Sequence, residues 1–146
     1  MVELSVKYKP GVNPKDAQKK LRRLSDDLQG KALKAATSGA GTPAKNILKQ
    51  NTPIGTTGDL HGSISKKQLS KRAKGRLGVD PSRSVVLIGP NKKIGGVHQG
   101  YIARFLEFGT KNIKARGFIA RSADLATEGA KVAFYNGLQR HLDKTK

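Results

Sequence analysis

Few side chains in this 146-residue chain have the chemistry of catalysis or metal binding. It has no cysteine, which excludes disulfides and thiolate metal ligands, and its three histidines are scattered at positions 61, 98 and 141. None of the histidines has a second ligand-type residue at metal-site spacing. His61 lies close to Ser63 and Ser65, but the G-x-S-x-G turn that exposes a serine nucleophile is absent. The sequence therefore predicts no catalytic residue, no metal site and no cofactor, and we do not expect an enzyme.

Positive charge is the dominant property of the chain. Lysine and arginine number 29 against 10 aspartates and glutamates, which gives a formal net charge of +19 and a pI near 10.5. Such a field attracts polyanions, above all nucleic acid, although it also keeps a solvated surface soluble. Aromatic residues are only 5% of the chain and no RNA-stacking motif occurs, so base-specific recognition is not expected.

The densest basic run is SKKQLSKRAKGR, residues 65–76. It has almost no apolar content, so we expect a mobile basic arm, either a solvent-facing hairpin or a disordered loop. Its cations are the candidates for contact with a polyanion: Lys66, Lys67, Lys71, Arg72, Lys74 and Arg76.

One of the rare acids, Glu107, lies inside an apolar run and two residues before Gly109. If Tyr101–Phe108 is a helix, as its apolar spacing predicts, this carboxylate lies in the last turn. That is the unfavourable end of the helix dipole, by roughly 0.3–1 kcal/mol, so a partner should compensate. Three partners are open: Arg116 beyond the turn, Arg104 one turn earlier, or a basic group on a neighbouring subunit.

The residues after this helix predict a tight corner. Gly109 suits the left-handed position just past a helix end, and the Thr110 hydroxyl is expected to bond to nearby backbone. Two interpretations of Glu107 follow. The carboxylate either anchors this loop alone, or it anchors a loop that also contacts another copy of the chain.

The elements that position these residues begin with an N-terminal strand. Val2, Leu4, Val6 and Tyr8 alternate with polar residues, which is the period of a strand with one buried face. Asn13-Pro14 then predicts a helix start, with asparagine as the N-cap. An apolar stripe at helical spacing continues this helix through Ala17, Leu21, Leu24, Leu28 and Ala32.

A glycine-rich stretch, TSGAGTP at residues 37–43, interrupts the helical pattern. It lacks the Gly-Lys-Ser/Thr ending of a phosphate loop and does not follow a strand. We therefore predict a flexible break or a kink between two helical pieces. The second piece opens at Thr42-Pro43 and ends near residues 51–53.

The second half predicts two strands and two helices. Residues 59–64 predict a helical turn leading into a strand, residues 84–88 a β-branched strand, and residues 91–96 a loop. A last helix runs from near Phe118 to about Leu142, with a stripe rich in small residues that suits close packing.

These elements indicate an α+β fold in a single domain, residues 1–146. We expect a small antiparallel sheet packed against an N-terminal helical segment and a long C-terminal helix. No apolar run approaches the roughly 18 residues of a membrane span, and the N-terminus has no signal-peptide pattern.

Two stretches resemble the minor tail-component family of tailed bacteriophages. Residues 102–119 read IARFLEFGT, a short spacer, then ARGFI, which is similar to the family's A-x-x-L-E-F-G-T … A-R-P-F. Residues 44–64 contain AKN and NTPIGTTGDLHGSI, similar to the family's A-K … P-V-x-T-G-x-L-x-x-S-I. With the flanking helices, the resemblance covers residues from about 15 to 140. The chain departs from the family at Gly117 and Arg121, where prolines usually stand, so we expect a looser helix start at this corner.

The resemblance implies a non-enzymatic structural protein of the virion, assembled in the bacterial host cytoplasm. It implies a subunit ring at the head–tail junction, in the neck or as tail completion, with phage connector and tail proteins as partners. DNA in transit would be contacted weakly, and no membrane is involved. Closing such a ring requires unlike patches on neighbouring subunits. The basic run is one candidate patch, and the loop after the apolar run is the other: Glu107, Phe108, Gly109, Thr110, Arg116 and Phe118.

A basic nucleic-acid-binding protein without enzymatic activity is the alternative. Its support is the charge of +19, and no helix-turn-helix, zinc or RNA-binding motif accompanies it.

Overall fold

Two long helices form the body of the fold in the computed structural model, which describes residues 8–145. They pack along each other, and a two-stranded antiparallel ribbon with short helices lies against one of them. The α+β class is confirmed, with its N-terminal helical segment and long C-terminal helix. The helices are α1 (Pro14–Leu21), α2 (Asp26–Asn51), α3 (Asp59–Ser63), α4 (Lys71–Arg76), α5 (Gln99–Phe108) and α6 (Phe118–Lys144). The strands are β1 (Ile64–Gln68), β2 (Val86–Pro90), β3 (Lys93–Ile94) and β4 (Val97–His98).

The helix start at Asn13-Pro14 is confirmed. The Asn13 side chain accepts a hydrogen bond from the Lys15 amide at 3.0 Å. The predicted continuation to Ala32 is interrupted, because α1 ends at Leu21 and α2 begins at Asp26. Ser25 precedes α2 in an extended conformation, and two aspartates occupy the first turn, which is the composition of a new helix start. The predicted N-terminal strand falls on residues outside the described range, except for Tyr8.

Of the break or kink predicted at residues 37–43, the break is wrong, because α2 continues through this stretch. The glycines allow close packing there. A Cβ on Gly41 would lie 3.1 Å from Val86 Cγ1 of the ribbon, and one on Gly39 would lie 3.8 Å from the Ala133 carbonyl of α6. Tertiary packing of this kind overrides the low helix propensity of glycine.

A lysine from the ribbon supports α2 beside its internal Pro43. The Lys66 ammonium donates hydrogen bonds to the Ser38 carbonyl and to the Thr42 hydroxyl, both at 2.8 Å. Proline cannot donate to the carbonyl four residues earlier, so the backbone here lacks one helical bond. The Lys66 contacts add polar bonds at this point and tie β1 to α2.

The contact between α2 and α6 depends on small residues. Ala32 and Ala36 of α2 are fully buried against Leu138 and Leu142 of α6, in a cluster that also contains Ala17. Gly137 faces the same contact. Its absent Cβ allows the two backbones to approach within a distance that side chains would prevent.

Replacing Gly137 with alanine is expected to lower stability by about 1 kcal/mol. Its Cβ would lie 3.3 Å from the Ala36 Cα, which cannot rotate away. Overpacking costs about 1–3 kcal/mol and outweighs the gain of about 1 kcal/mol in helix propensity. The matched control is Gly129→Ala, where the new Cβ would make an ordinary contact at 3.9 Å from Pro43. Urea denaturation should show opposite signs for the two variants, and equal stabilisation would contradict the close approach of the helices.

The ribbon pairs β1 and β2 from Ile64 opposite Pro90 to Gln68 opposite Val86. The predicted helical turn leading into a strand is confirmed as α3 and β1, and the predicted second strand appears as β2, shifted by two residues. The predicted loop at 91–96 contains part of a short hairpin of β3 and β4.

Residues 65–76 fold into β1, which pairs with β2, and into α4. The mobility expected of this segment stays a prediction. The segment is held by two buried side chains, Leu69 and Lys74, with 8% and 4% exposure. Ser70 caps α4 by accepting a hydrogen bond from the Ala73 amide at 3.2 Å. The burial of Lys74 could not be predicted from the composition of the run, which counts lysine as polar. Lysine can bury its methylene groups while its ammonium stays hydrogen-bonded.

Within residues 8–145, no helix combines the length and hydropathy of a membrane span. The same part of the chain contains no cluster of three or more His, Asp or Glu side chains that could hold a metal ion.

Candidate subunit interface

The corner between α5 and α6 satisfies the carbonyls that end α5. The Phe105 carbonyl accepts from the Gly109 amide at 2.9 Å. The next two carbonyls accept from the returning chain, Leu106 from the Arg116 amide at 2.7 Å and Glu107 from the Gly117 amide at 3.2 Å. Helix ends leave such groups without helical partners, and here the chain itself supplies them. The start of α6 is thereby fixed to the end of α5.

The Glu107 carboxylate caps α6. Its two oxygens accept hydrogen bonds from the amides of Ile119 at 2.7 Å and Ala120 at 3.0 Å. Gly117, the N-cap residue of α6, has no side chain to do this. Glu107 as a residue is only 9% exposed, and its carboxylate lies at the positive end of the α6 dipole.

The partner of this carboxylate is therefore the backbone of the next helix, which none of the three open alternatives included. Glu107 belongs to the last turn of α5, where the helix dipole disfavours its negative charge. The same charge is favoured at the N-terminus of α6, which it caps. Arg116 contributes its backbone instead, through the amide on Leu106 and the carbonyl, which accepts from the Arg121 guanidinium at 2.7 Å.

Gly109 has a backbone that other residues rarely adopt, with φ 77° and ψ 172°. The positive φ was predicted, whereas the ψ value is not that of the left-handed helix. A Cβ here would lie 2.8 Å from both the Ala115 nitrogen and the Ile113 oxygen. The backbone of residues 113–115 therefore passes too close to Gly109 for any side chain at this position.

Thr110 closes the loop as predicted. Its hydroxyl accepts from the amides of Asn112 at 3.3 Å and Ile113 at 3.1 Å, and its own amide donates to the Ile113 carbonyl at 2.8 Å. Phe118 is 2% exposed and belongs to the core cluster of Leu48, Leu60, Ile64 and Ala103. Phe118 therefore fixes the start of α6 to the core, and its side chain is too buried to contact a neighbouring subunit.

The apolar side of α5 faces outward, which sequence reasoning missed. The residues that α5 buries are Gln99, Ala103 and Glu107, spaced four apart. Its aromatic residues are exposed by 65% at Tyr101, 40% at Phe105 and 77% at Phe108. We call these three side chains the aromatic face. They border a depression of about 620 Å³ together with Arg104.

The aromatic face is ordered by its own contacts and by the corner. The rings of Tyr101 and Phe105 stack edge to face with centroids 5.5 Å apart. Phe108 directly follows the capping Glu107, so its backbone is fixed by the bonds to α6. A group of exposed aromatic side chains of this kind is typical of a protein contact.

The six predicted polyanion contacts divide into two groups. Lys66 bonds to α2, and the buried Lys74 donates to the Pro81 carbonyl at 3.0 Å, so both have structural roles. The other four are exposed: Lys67, Lys71, Arg72 and Arg76. Their contact with a polyanion or a neighbouring subunit stays a prediction.

Asp80 lies in the segment that follows α4. Its carboxylate accepts from the Ser82 hydroxyl at 2.7 Å and from the Ser82 amide at 2.8 Å. These bonds lower the pKa of Asp80, and the positive charges of Arg83 and Lys74 act in the same direction.

Comparison with known protein families gives a match for this chain. Residues 15–109, more than half of the sequence, match a family described as "Bacteriophage HK97-gp10, putative tail-component". The match includes α5 with its aromatic face, Glu107 and Gly109, and ends before α6. Neither the curated proteins nor the solved structures with which the chain was compared include a match. The chain belongs to the HK97-gp10-like family of phage tail components.

Proposed function

We propose that this chain is a structural subunit that forms a ring at the head–tail junction, in the neck or as tail completion. Membership in a tail-component family supports a virion protein, and the proposal adds the ring and its place. The single observation that carries it is the aromatic face, which is exposed on a helix whose end is fixed by the Glu107 cap.

The proposal assigns no catalysis to the chain. Its partners are copies of itself and the connector and tail proteins on either side, and it assembles in the host cytoplasm. In this proposal the four exposed cations of residues 65–76 contact either a neighbouring subunit or, as DNA passes through the ring, its phosphates. Such contact should be weak and should fall steeply with salt, since tight phosphate binding would hinder passage.

The ring is tested by negative-stain microscopy of the purified chain, alone and mixed with purified tails of the phage that encodes it. Closed rings, or rings seated on tail ends, are the expected result. A chain that stays monomeric at all concentrations and fails to bind either tails or filled heads would contradict the proposal. Preferential binding to one nucleic-acid sequence or structure would favour the nucleic-acid-binding alternative.

Phe108→Ala is expected to weaken assembly by roughly 30-fold while leaving the fold intact. Truncating a central aromatic residue of an interface commonly costs about 2 kcal/mol of association free energy. Because Phe108 is 77% exposed in the single subunit, its loss should change the free energy of unfolding by less than about 0.5 kcal/mol. Sedimentation velocity over a concentration series measures the first effect and urea denaturation the second.

The matched control is Leu125→Ala on α6, since Leu125 is 60% exposed and lies outside the aromatic face. It should leave both assembly and stability unchanged. If Phe108→Ala assembled as well as the unaltered chain, the aromatic face would not be part of the subunit interface.

A further inference from the structure

A cleft of about 540 Å³ opens between the N-terminal part of α2, α4 and the segment of residues 81–84. Three separate parts of the chain bring cations to it. We call it the basic cleft, and its cations are Lys31 and Lys34 from α2, Lys71 and Lys74 from α4, and Arg83. Only two of the five belong to the basic run at residues 65–76, so the fold assembles a positive surface that no single stretch of sequence contains.

Hydrogen bonds fix the wall of the cleft that residues 81–84 form. The Gln68 amide group donates to the Ser84 hydroxyl at 3.0 Å. The Lys74 ammonium, on a residue only 4% exposed, donates to the Pro81 carbonyl at 3.0 Å. The segment is thereby tied at both ends, to β1 and to α4. The cleft is therefore formed before any ligand binds.

The cleft offers hydrogen-bond donors as well as charge. Ser70 and Ser84 line it, and both hydroxyls act as acceptors in the protein, from the Ala73 amide and the Gln68 side chain. A hydroxyl that accepts a bond still has its own hydrogen to donate. Lysine and arginine donors beside hydroxyl donors are the groups that proteins use to bind phosphate oxygens of DNA.

Two acids line the cleft without cancelling its charge. Asp26 and Asp27 occupy the first turn of α2, and Lys34 lies seven residues beyond Asp27, roughly 10 Å further along the helix. Five cations against two acids leave the lining with a net charge of +3. Asp80 does not line the cleft, and its carboxylate accepts hydrogen bonds from Ser82. The acids weaken the attraction of an anion but do not reverse it.

We propose that the basic cleft binds the phosphate backbone of double-stranded DNA. The proposal rests on the proposed function for the passage of DNA through the ring, and it names the surface that the DNA contacts. None of the described residues that line the cleft is aromatic, so unpaired bases have no ring on which to stack. Binding should therefore be independent of sequence and should favour a duplex over a single strand.

A second copy of the chain fits the cleft less well than DNA. The chain has 29 basic residues against 10 acids, so another copy approaches with a large positive charge of its own. Of those acids, Glu107 is used to cap α6. Duplex DNA carries one negative charge for about every 1.7 Å of its axis, so it supplies several phosphates within the width of the cleft.

The salt dependence of duplex binding by the purified chain tests the cleft. The cleft variant carries Lys34→Gln, Lys71→Gln and Arg83→Gln, which removes three exposed cations and leaves the buried Lys74 in place. Fluorescence anisotropy with a short labelled duplex gives the slope of log K against log salt concentration. Each lost phosphate contact lowers the magnitude of this slope by about 0.9, so a decrease of about 2.7 is expected.

The control variant removes the same charge elsewhere. It carries Lys131→Gln, Arg140→Gln and Lys144→Gln, three exposed cations of α6 that do not line the cleft. Its slope should decrease by less than about 0.9, the value for one contact. Equal decreases for the two variants would assign DNA affinity to the overall charge of the chain and would overturn the proposal.

Acetylation of the unaltered chain tests the cleft without any substitution. An amine-reactive reagent is applied with and without the duplex, and the modified lysines are identified by mass spectrometry. DNA should reduce acetylation severalfold at Lys31, Lys34 and Lys71, and should leave Lys131 and Lys144 unchanged. Equal protection of both sets of lysines, or tighter binding of a single strand of the same sequence, would contradict duplex binding in the cleft.

The two proposals fail in different ways. If the cleft variant binds the duplex like the unaltered chain but no longer forms rings, the cleft is a contact between subunits, and the DNA proposal is overturned while the ring stands. If the unaltered chain forms no rings, alone or with tails, but shows the expected change of slope and lysine protection, the ring is overturned and the DNA-binding cleft stands.

Discussion

Gly109→Ala is expected to destabilise the chain by more than about 3 kcal/mol, the largest effect of any single methyl group in the corner. The backbone at φ 77° and ψ 172° is nearly restricted to glycine, which costs another residue about 1–3 kcal/mol. The new Cβ would also lie 2.8 Å from two backbone atoms, the Ala115 nitrogen and the Ile113 oxygen. That oxygen is held by the Thr110 amide at 2.8 Å, so it cannot move without losing a hydrogen bond.

Thermal unfolding followed by circular dichroism should show a fall in Tm of about 10 °C, at 2–4 °C for each kcal/mol in a chain of this size. Gly117→Ala is the matched control. It has φ 56° and ψ 33° but no atom within 4 Å of a Cβ, so only the left-handed backbone is penalised, by about 1–2 kcal/mol. Gly55→Ala, with neither constraint, should be nearly neutral. If Gly109→Ala cost no more than Gly117→Ala, close backbone packing would not be what fixes the corner.

The backbone conformation of Gly117 is incompatible with the proline that the family usually has at this position. A proline fixes φ near −65°, which is incompatible with the 56° seen here. The chain therefore enters α6 by a left-handed residue, and the expected looseness of this helix start is offset by the cap from Glu107.

The features that the sequence predicted well are those set by residues close together along the chain. Asn13-Pro14 starts α1, residues 51–53 end α2, and the Thr110 hydroxyl bonds to amides two and three residues later. Each depends on side chains and backbone within one turn, which composition and spacing specify directly.

The features that it missed depend on contacts between distant residues. The helix persists through Gly39 and Gly41, and the ribbon packs closely on Gly41, where a Cβ would lie 3.1 Å from Val86 Cγ1. Lys66 in the basic run bonds to α2, 28 residues earlier. The apolar residues of α5 were identified, but their direction was not, since a helix with both polar and apolar stripes can bury either one. Here Gln99, Ala103 and Glu107 are the buried side chains, and the aromatic residues are left exposed.

Glu107→Ala is expected to lower the free energy of unfolding by about 2–3 kcal/mol. The substitution leaves the amides of Ile119 and Ala120 without their acceptor, and bonds to a charged group are worth about 1.5–3 kcal/mol. The estimate is below the sum of two such bonds because Ala120 is exposed and water can replace part of the contact. Glu107→Gln retains one acceptor oxygen, so about half of the loss is expected. Urea denaturation measures both variants, and Asp124→Ala, an exposed acid on α6, should change stability by less than about 0.5 kcal/mol.

The same substitution separates an anchoring role from an assembly role. Amide hydrogen exchange should accelerate first at Ile119 and Ala120, because these are the donors that lose their acceptor. If the cap also holds the aromatic face in position, Glu107→Ala should reduce ring formation under conditions in which the variant remains folded. Normal assembly with faster exchange would confine Glu107 to capping α6, and the aromatic face would then keep its position through the packing of α5 alone. Unchanged exchange and stability would contradict the cap itself.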